Sequence, residues 1–540
     1  MEFPRKTTFV KQLGNTSRRT DMKKIVFYPI LFSIDPILLL LTGNLHLINV
    51  NQLFPFILII PLCATGLFWL LNRWLKDIHH AGFVTFLIIF WFFHYGSIYQ
   101  FVKLFNTGSI PWRSHWILLP LWTGVLVFLS SRLVWRKITS PQTITLFLNI
   151  VCILITVYSI IRISDYVVTR NFFNPIISED IQKSIKLSSA AYKPDVYYII
   201  LDGYARGDVL QELYNFDNSA FIQALIARGF YIATESQSNY IQTALSLASS
   251  LNMSYLTGLP NWMPDRGYLV GMIQNSQTRA IFQQLGYKQV ALSTGYQVTD
   301  LIDADYHFKS PNIGKSNDLE GLLLNNSIAV VLIEQGWVES PITHFAQAQE
   351  RIQFEFTSLA KELPLIDSPK FVLAHIVAPH PPFIFNQNRS IDPDNFYILI
   401  DAGAFTAGPK VYIQDYVDQL IYINTQVIQS IDAILRNSKT LPIIIIQADH
   451  GPGAYLDMQS VENSCLRERF SIFNAYYFPN GMIRELQKDT SPVNTFSIIF
   501  NYLFGTNIKL LDNKEYFSTW SNPYNFIDVS EQSQLPCAIP

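Results

Sequence analysis

Five apolar stretches in the first third of the chain, at about 25–44, 53–72, 82–101, 116–135 and 144–163, restrict its fold more than any other feature. Each is near the roughly 20 residues that a helix needs to cross a hydrocarbon layer. Phe, Leu, Ile and Trp occupy every side of them, whereas a helix on the surface of a soluble protein keeps a polar face. The expectation is a bundle of five transmembrane helices over residues 1–163. The first stretch does not read as a cleaved signal peptide, because four more follow it and no small-residue cleavage site stands behind it.

Basic residues give the bundle a direction. Arg5, Lys6, Lys11, Arg18, Arg19, Lys23 and Lys24 precede the first stretch, Arg73 and Lys76 follow the second, and Arg132, Arg136 and Lys137 lie around the end of the fourth. The opposite loops hold Lys103 and Arg113. The positive-inside rule puts the N-terminus in the cytoplasm, and an odd number of crossings exports everything after Arg162. The expected location is the cell membrane, with the rest of the chain extracytoplasmic. Asp35, beside Pro36, interrupts the first stretch, and an intramembrane carboxylate is a functional candidate. His94 and Arg132 are its possible partners, and a bend or a face turned to other helices is the simpler account.

Composition fits a two-part chain. Its 540 residues are 49% hydrophobic and only 15% charged, too apolar for an ordinary soluble enzyme and too long for one domain. A net charge of -2 gives no basic face for nucleic acid. Cys63 and Cys152 fall inside apolar stretches, while Cys465 and Cys537 both lie in the exported part, where an oxidising compartment permits them to pair.

Residues 164–194 read as a juxtamembrane linker with a short surface helix near 178–186. From 195 to 540 the pattern alternates. Val196–Leu201, 288–292, 371–377 and 441–446 are strand-like, whereas 218–228, 346–359 and 416–435 have helical spacing, which is a doubly wound α/β pattern. The stretch 518–540 reads as an irregular tail.

Three of these strands deliver polar residues at their ends. Val196–Leu201 runs into Asp202, and 441–446 runs into Asp449-His450-Gly451. Between them in sequence, 371–377 ends in Ala-Pro-His-Pro-Pro-Phe, which presents His380 on a proline-stiffened loop. Open α/β sheets keep ligands at the carboxyl ends of their strands, so a metal fits there. Thr243 opens a stretch of helical spacing, where its hydroxyl meets the positive end of a helix dipole. Each residue has a plainer reading. Asp202 can cap the turn into a helix near Asp208. Ser236, Ser238, Ser246, Ser249 and Ser250 compete with Thr243, Ser246 foremost. His375, on the alternating spacing of its strand, reads as a satisfied core histidine, and His307 as part of a polar loop. Arg467 and Arg469 suit either a phosphate clamp or a solvated patch with Glu462 and Glu468.

In this order of segments, over about 194–510, the chain resembles the alkaline phosphatase superfamily, specifically the sulfatase-like branch that includes lipoteichoic acid synthases and phosphoethanolamine transferases. The resemblance implies a divalent metal held by Asp202, Thr243, Asp449 and His450, with Thr243 also the nucleophile and His380 beside the transferred group. A threonine hydroxyl needs a base or a metal to act at neutral pH, and mixed oxygen and nitrogen ligation suits Mn or Zn better than Ca. Type I sulfatases carry Cys/Ser-x-Pro-x-Arg, and its absence here points to phosphorus. The leading expectation is a transferase that moves phosphoglycerol or phosphoethanolamine from a membrane lipid donor to an envelope glycan or lipid acceptor. A phosphate- or sulfate-ester hydrolase and a non-catalytic membrane scaffold are the alternatives.

Overall fold

The computed structural model describes residues 25–45, 48, 50–104, 115–135, 141–171, 173, 175, 182, 193–261, 266–311, 318–337, 344–385, 408–479 and 484–537. Apart from residue 182, the expected surface helix near 178–186 lies outside them, as do Arg5 to Lys24, Arg113, Arg136 and Lys137, which carry much of the orientation argument. Contacts divide the chain into two units. One comprises Met1–Asn44, Val50–Ile163 and Asn317–Pro341, the other Leu45–Asn49, Ser164–Ser316 and Ile342–Pro540.

The first unit contains α1 (Tyr28–Gly43), α2 (Phe54–Leu75), α3 (Ile78–Leu104), α4 (His115–Trp135) and α5 (Pro141–Asn171) up to Ile163, the rest of α5 being counted with the second. Among the described residues, Val50–Leu75, Ile78–Val102 and Pro141–Asn171 are long and apolar enough to cross a membrane, and Tyr28–Gly43 is a shorter apolar helix. Large apolar side chains point outward along these helices, with Leu58 and Leu62 on α2, Trp116 on α4 and Leu154 on α5 all exposed. In water that surface would be costly; against lipid it is the expected one. Asp35 is buried, but neither His94 nor Arg132 answers it. The Thr156 hydroxyl of α5 donates to its Oδ1 at 2.7 Å, while His94 stacks on Phe32 and Phe90. Asp35 therefore faces α5, where Thr156 and Cys152 stand in place of the two possible partners.

Residues far along the chain complete this unit. Two short helices, Asp318–Asn326 and Val330–Glu334, pack on it. Leu319 N–H donates to Gln52, Ile328 N–H to the Phe92 carbonyl, and Ser97 to Asn326. Gly96 permits this approach, since a Cβ there would strike the Asn325 carbonyl. Tyr99 and His115 both reach Glu334 Oε2, at 2.6 and 2.8 Å, and Tyr95 bonds the other nitrogen of His115.

The second unit is built on a seven-stranded sheet, ordered β2-β7-β6-β1-β5-β3-β4. Its strands are β1 (Val196–Leu201), β2 (Tyr231–Ile232), β3 (Lys288–Leu292), β4 (Tyr306–Phe308), β5 (Lys370–Ile376), β6 (Ile443–Gln447) and β7 (Asn474–Tyr477). β4, β3, β5, β1 and β6 are parallel, and β7 runs against both β6 and β2. β1 and β6 are buried along their whole length, which explains their unbroken apolar sequence rather than an alternating one. The helix Pro409–Asn437 covers one face with Tyr416, Leu420, Ile423, Val427, Ile431 and Ile434 at helical spacing. Each such buried aliphatic contributes roughly 1.5–3 kcal/mol. The helix Thr495–Phe504 brings Phe496 against Tyr198 of β1 and Phe371 of β5.

The stretch expected to be an irregular tail is docked and, within 518–537, partly regular: Ile527–Asp528 pairs antiparallel with Tyr516–Phe517, and Gln532–Gln534 forms a 3-10 turn. Gln242 donates to the Ser518 and Thr519 carbonyls, Gln237 donates to Ser533, and Cys465 is bonded to Cys537 with their Cα atoms 5.2 Å apart.

Candidate metal centre

β1 and β6 are neighbouring parallel strands, so their ends bring Asp202 and Asp449-His450 to one sheet edge although far apart in sequence. The three side chains are buried and offer atoms that all lie within 4.8 Å of one another. His450 Nε2 is 3.5 Å from Asp202 Oδ1 and 3.4 Å from Asp449 Oδ2. His450 Nδ1 is 2.9 Å from the Gly451 carbonyl. A carbonyl only accepts, so Nδ1 carries the proton and, in the neutral ring, Nε2 presents a lone pair to both carboxylates. Burial, with the Arg469 charge next, holds His450 well below the usual imidazole range and favours that neutral form.

The two carboxylate oxygens that face Nε2, Asp202 Oδ1 and Asp449 Oδ2, are buried without a hydrogen-bond partner. Three lone-pair donors thus point at one place. Buried polar atoms are ordinarily satisfied, and a cation satisfies all three at once. Proton affinities follow the crowding. Burial and the Asp202 charge push Asp449 up to about 6. Burial opposes ionisation of Asp202 too, but His380, His375 and His450 outweigh it and hold that carboxyl below its ordinary range. Nitrogen with two carboxylate oxygens is a donor set for a transition-series divalent ion such as Zn or Mn.

Thr243 is the first residue of the helix α6 (Thr243–Asn252), preceded by Gln242 in extended conformation. Its hydroxyl lies 3.2 Å from His450 Nε2. Of the hydroxyls weighed from the sequence, Ser236 donates to the Thr490 carbonyl, Ser249 to Ser254 and Ser250 to Leu247, Ser246 is buried within α6, and the Ser238 hydroxyl is buried without a hydrogen bond. Gln242 is braced by Arg266, which bonds its Oε1 and stacks on Trp520 at 4.0 Å. Arg469 holds the next contact. Its buried guanidinium bonds the carbonyls of Ile241 and Gly451, so it ties the loop before Thr243 to the loop after His450. Gly451 is required by that packing, since a Cβ would meet the Glu468 carbonyl.

His380 follows β5. Its N–H bonds the Asp202 carbonyl at 3.0 Å, its Nδ1 donates to the Pro381 carbonyl, and its ring centre is 6.1 Å from that of His450.

Several plainer sequence readings are corrected by these contacts. Asp202 is not a helix cap, for the helix Gly207–Leu213 starts after Arg206. Arg467 pairs with Asp208 and Glu212, and Arg469 is occupied by backbone carbonyls, so neither is a phosphate clamp. Glu468 is not in a solvated patch but buried, accepting from Tyr214 and from the N–H groups of Ala454 and Tyr455. His307 lies on β4 and not in a loop, and it bonds Asp300 at 2.8 Å. His375 is buried as expected, but only Nδ1 has a formal hydrogen bond, to Thr299, and Nε2 lies 3.3 Å from Asp202 Oδ2.

No family model matches the chain, and no curated protein matches it. Among solved structures, the C-terminal periplasmic domain of EcEptC from Escherichia coli is similar at 13% identity, covering 63% of this chain and 94% of that one, with a TM-score of 0.41. The soluble domain of lipooligosaccharide phosphoethanolamine transferase A from Neisseria meningitidis is similar at 12% identity over 58% of this chain and 89% of its own, with a TM-score of 0.35. A putative sulfatase from Bacteroides thetaiotaomicron is similar at 15% identity over 59% and 72%, with a TM-score of 0.35.

Proposed function

We propose that this chain is a membrane-anchored, metal-dependent transferase that passes a phospho-alcohol group from a lipid donor to an envelope glycan or lipid. The observation that carries this reading is the convergence of His450 Nε2 with two unpartnered carboxylate oxygens beside the Thr243 hydroxyl. Asp202, Asp449 and His450, with Thr243, would hold the ion. When bound, that ion favours the threonine alkoxide and neutralises charge on phosphoryl oxygens. Thr243 Oγ attacks phosphorus, a bond forms between them, and the bond to the donor's alcohol breaks. That alcohol leaves with a proton. His380, whose Nε2 remains an acceptor because Nδ1 donates to Pro381, is the group placed to move protons between leaving and entering alcohols. An acceptor hydroxyl then attacks the phosphothreonine and frees Thr243.

A donor in the membrane accounts for an enzyme built with apolar helices of spanning length. The helix ends that receive 317–341 support the orientation. Gln52, Tyr99 and His115 lie where the basic-residue count puts the outer face, and the segment bonded to them belongs to the exported half of the sequence. A reporter fused after Tyr192 is expected to be active only outside the cytoplasm, and one after Lys76 only inside.

Purified protein incubated with phospholipid labelled in its headgroup tests the reaction. Label on Thr243 and then on an added glycan or lipid acceptor supports transfer. Label released to water in the presence of acceptor assigns an ester hydrolase instead.

A further inference from the structure

Each carboxylate of the centre has one oxygen turned to His450 Nε2, and its other oxygen has a neighbour in the protein. For Asp449 the neighbour is a backbone amide, with Gly203 N–H donating to Oδ1 at 3.1 Å. For Asp202 it is His375, whose Nε2 lies 3.3 Å from Oδ2. We propose that His375 is a positioning residue that holds Asp202 in its ligating orientation, and that the Thr299 hydroxyl sets its tautomer.

The sheet brings the two together. His375 on β5 is in register with Ile200 on β1, and side chains two apart along a strand share a face, so Asp202 emerges on the side of the sheet that His375 occupies. Thr299 Oγ1 is 2.8 Å from His375 Nδ1, its shortest contact, against 3.2 Å to Thr294 Oγ1 and 3.4 Å to the Tyr296 carbonyl. A carboxylate only accepts, so the proton belongs on Nε2, facing Asp202 Oδ2, and Nδ1 is then the acceptor of the Thr299 hydroxyl. His375, Thr299 and Asp202 are all buried, so no water competes. The contact at Nε2 is close but not aligned as a formal hydrogen bond, and a carboxylate turning toward a cation is free to complete it.

This inference rests on the metal-centre reading above. It is tested by titrating Zn2+ and Mn2+ into the full-length, detergent-purified protein, calorimetrically, with far-UV circular dichroism as the control for folding. His375→Phe keeps the ring volume and removes both nitrogens, and is expected to weaken binding about 10- to 100-fold, the usual cost of losing a group that orients a ligand. His375→Gln places an amide N–H near Nε2 and is expected to restore affinity to within about threefold of the parent. Thr299→Val, which removes the tautomer-setting hydroxyl, is expected to weaken binding about 10-fold. If His375→Phe does not fold, the Gln and Val substitutions decide. Parent-like affinity in folded His375→Phe, or in Thr299→Val, overturns the positioning role. A parent protein that binds neither ion contradicts the metal centre itself, a separate outcome.

Discussion

Asp35 and Asp202 are both buried aspartates, yet only one lies in a constellation able to do chemistry. Asp35 has a single hydroxyl donor, Thr156, amid apolar helices. Asp202 has a second carboxylate, the lone pair of a tautomerically fixed imidazole and the hydroxyl of Thr243 near it. Burial raises the cost of a charge in both places. The difference is convergence: parallel strands collect residues from separate parts of the sequence at one edge, whereas Asp35 meets only two neighbours one turn apart on a single helix, Thr156 and Cys152. Isolation leaves an acid as a packing feature, and convergence makes it a candidate ligand.

The largest expected effect lies at the convergent site. Thr243→Ala is expected to fold and to lose turnover on the order of 10^3-fold or more, because the covalent route disappears. Thr243→Ser is expected to retain part of it. Turnover of labelled phospholipid checks both, and an active alanine variant would break the contrast with Asp35 at once. Next, His450→Ala is expected to weaken Zn2+ or Mn2+ binding more than about 100-fold while the fold persists. Calorimetric titration reads this, and full occupancy in the variant would return His450 to a structural role.

A third expectation uses a buried acid that has neither kind of partner. Glu355, fully buried with both carboxylate oxygens lacking hydrogen bonds, is pushed up to about 8 by burial, although Arg351 pulls the other way. Its folded value is above the unfolded one, so its stabilising share is complete below about pH 4.5 and is lost as pH rises through about 8. Glu355→Gln is therefore expected to gain melting temperature over the parent at pH 9, by several degrees, and to show little gain at pH 5. An equal shift at both pH values would contradict that origin. The smallest effect is expected at Asp35. Asp35→Asn keeps the acceptor for Thr156, and turnover should stay within about threefold of the parent. A large loss would make the isolated acid functional and erase the distinction.

What the sequence made legible follows the same divide. Strand ends are local, so the unbroken apolar runs before Asp202 and Asp449-His450 could be read directly, and Thr243 stood before a helical pattern. The role of His375 was hidden because alternation along β5 predicts only burial, and its carboxylate neighbour comes from another strand. Arg469 was misread for a related reason: its acceptors are main-chain carbonyls, which leave no mark in a sequence. The segment Asn317–Pro341 was missed altogether. Its buried apolar residues, Leu319, Leu323, Val330 and Ile333, suit any helix packed on any core, and nothing in it announces that its partners are Gln52, Tyr99 and His115. The outer edge of the sheet was also incomplete, since β2 and β4 are too short to give a pattern.

Anomalous scattering from crystals of the full-length protein, recorded at the zinc and manganese absorption edges, tests the central claim most directly. One strong peak is expected within coordinating distance of Asp202 Oδ1, Asp449 Oδ2 and His450 Nε2, with Thr243 Oγ1 beside it. No peak there in metal-supplemented crystals, with His450 Nε2 protonated and bonded to the carboxylates instead, would contradict it.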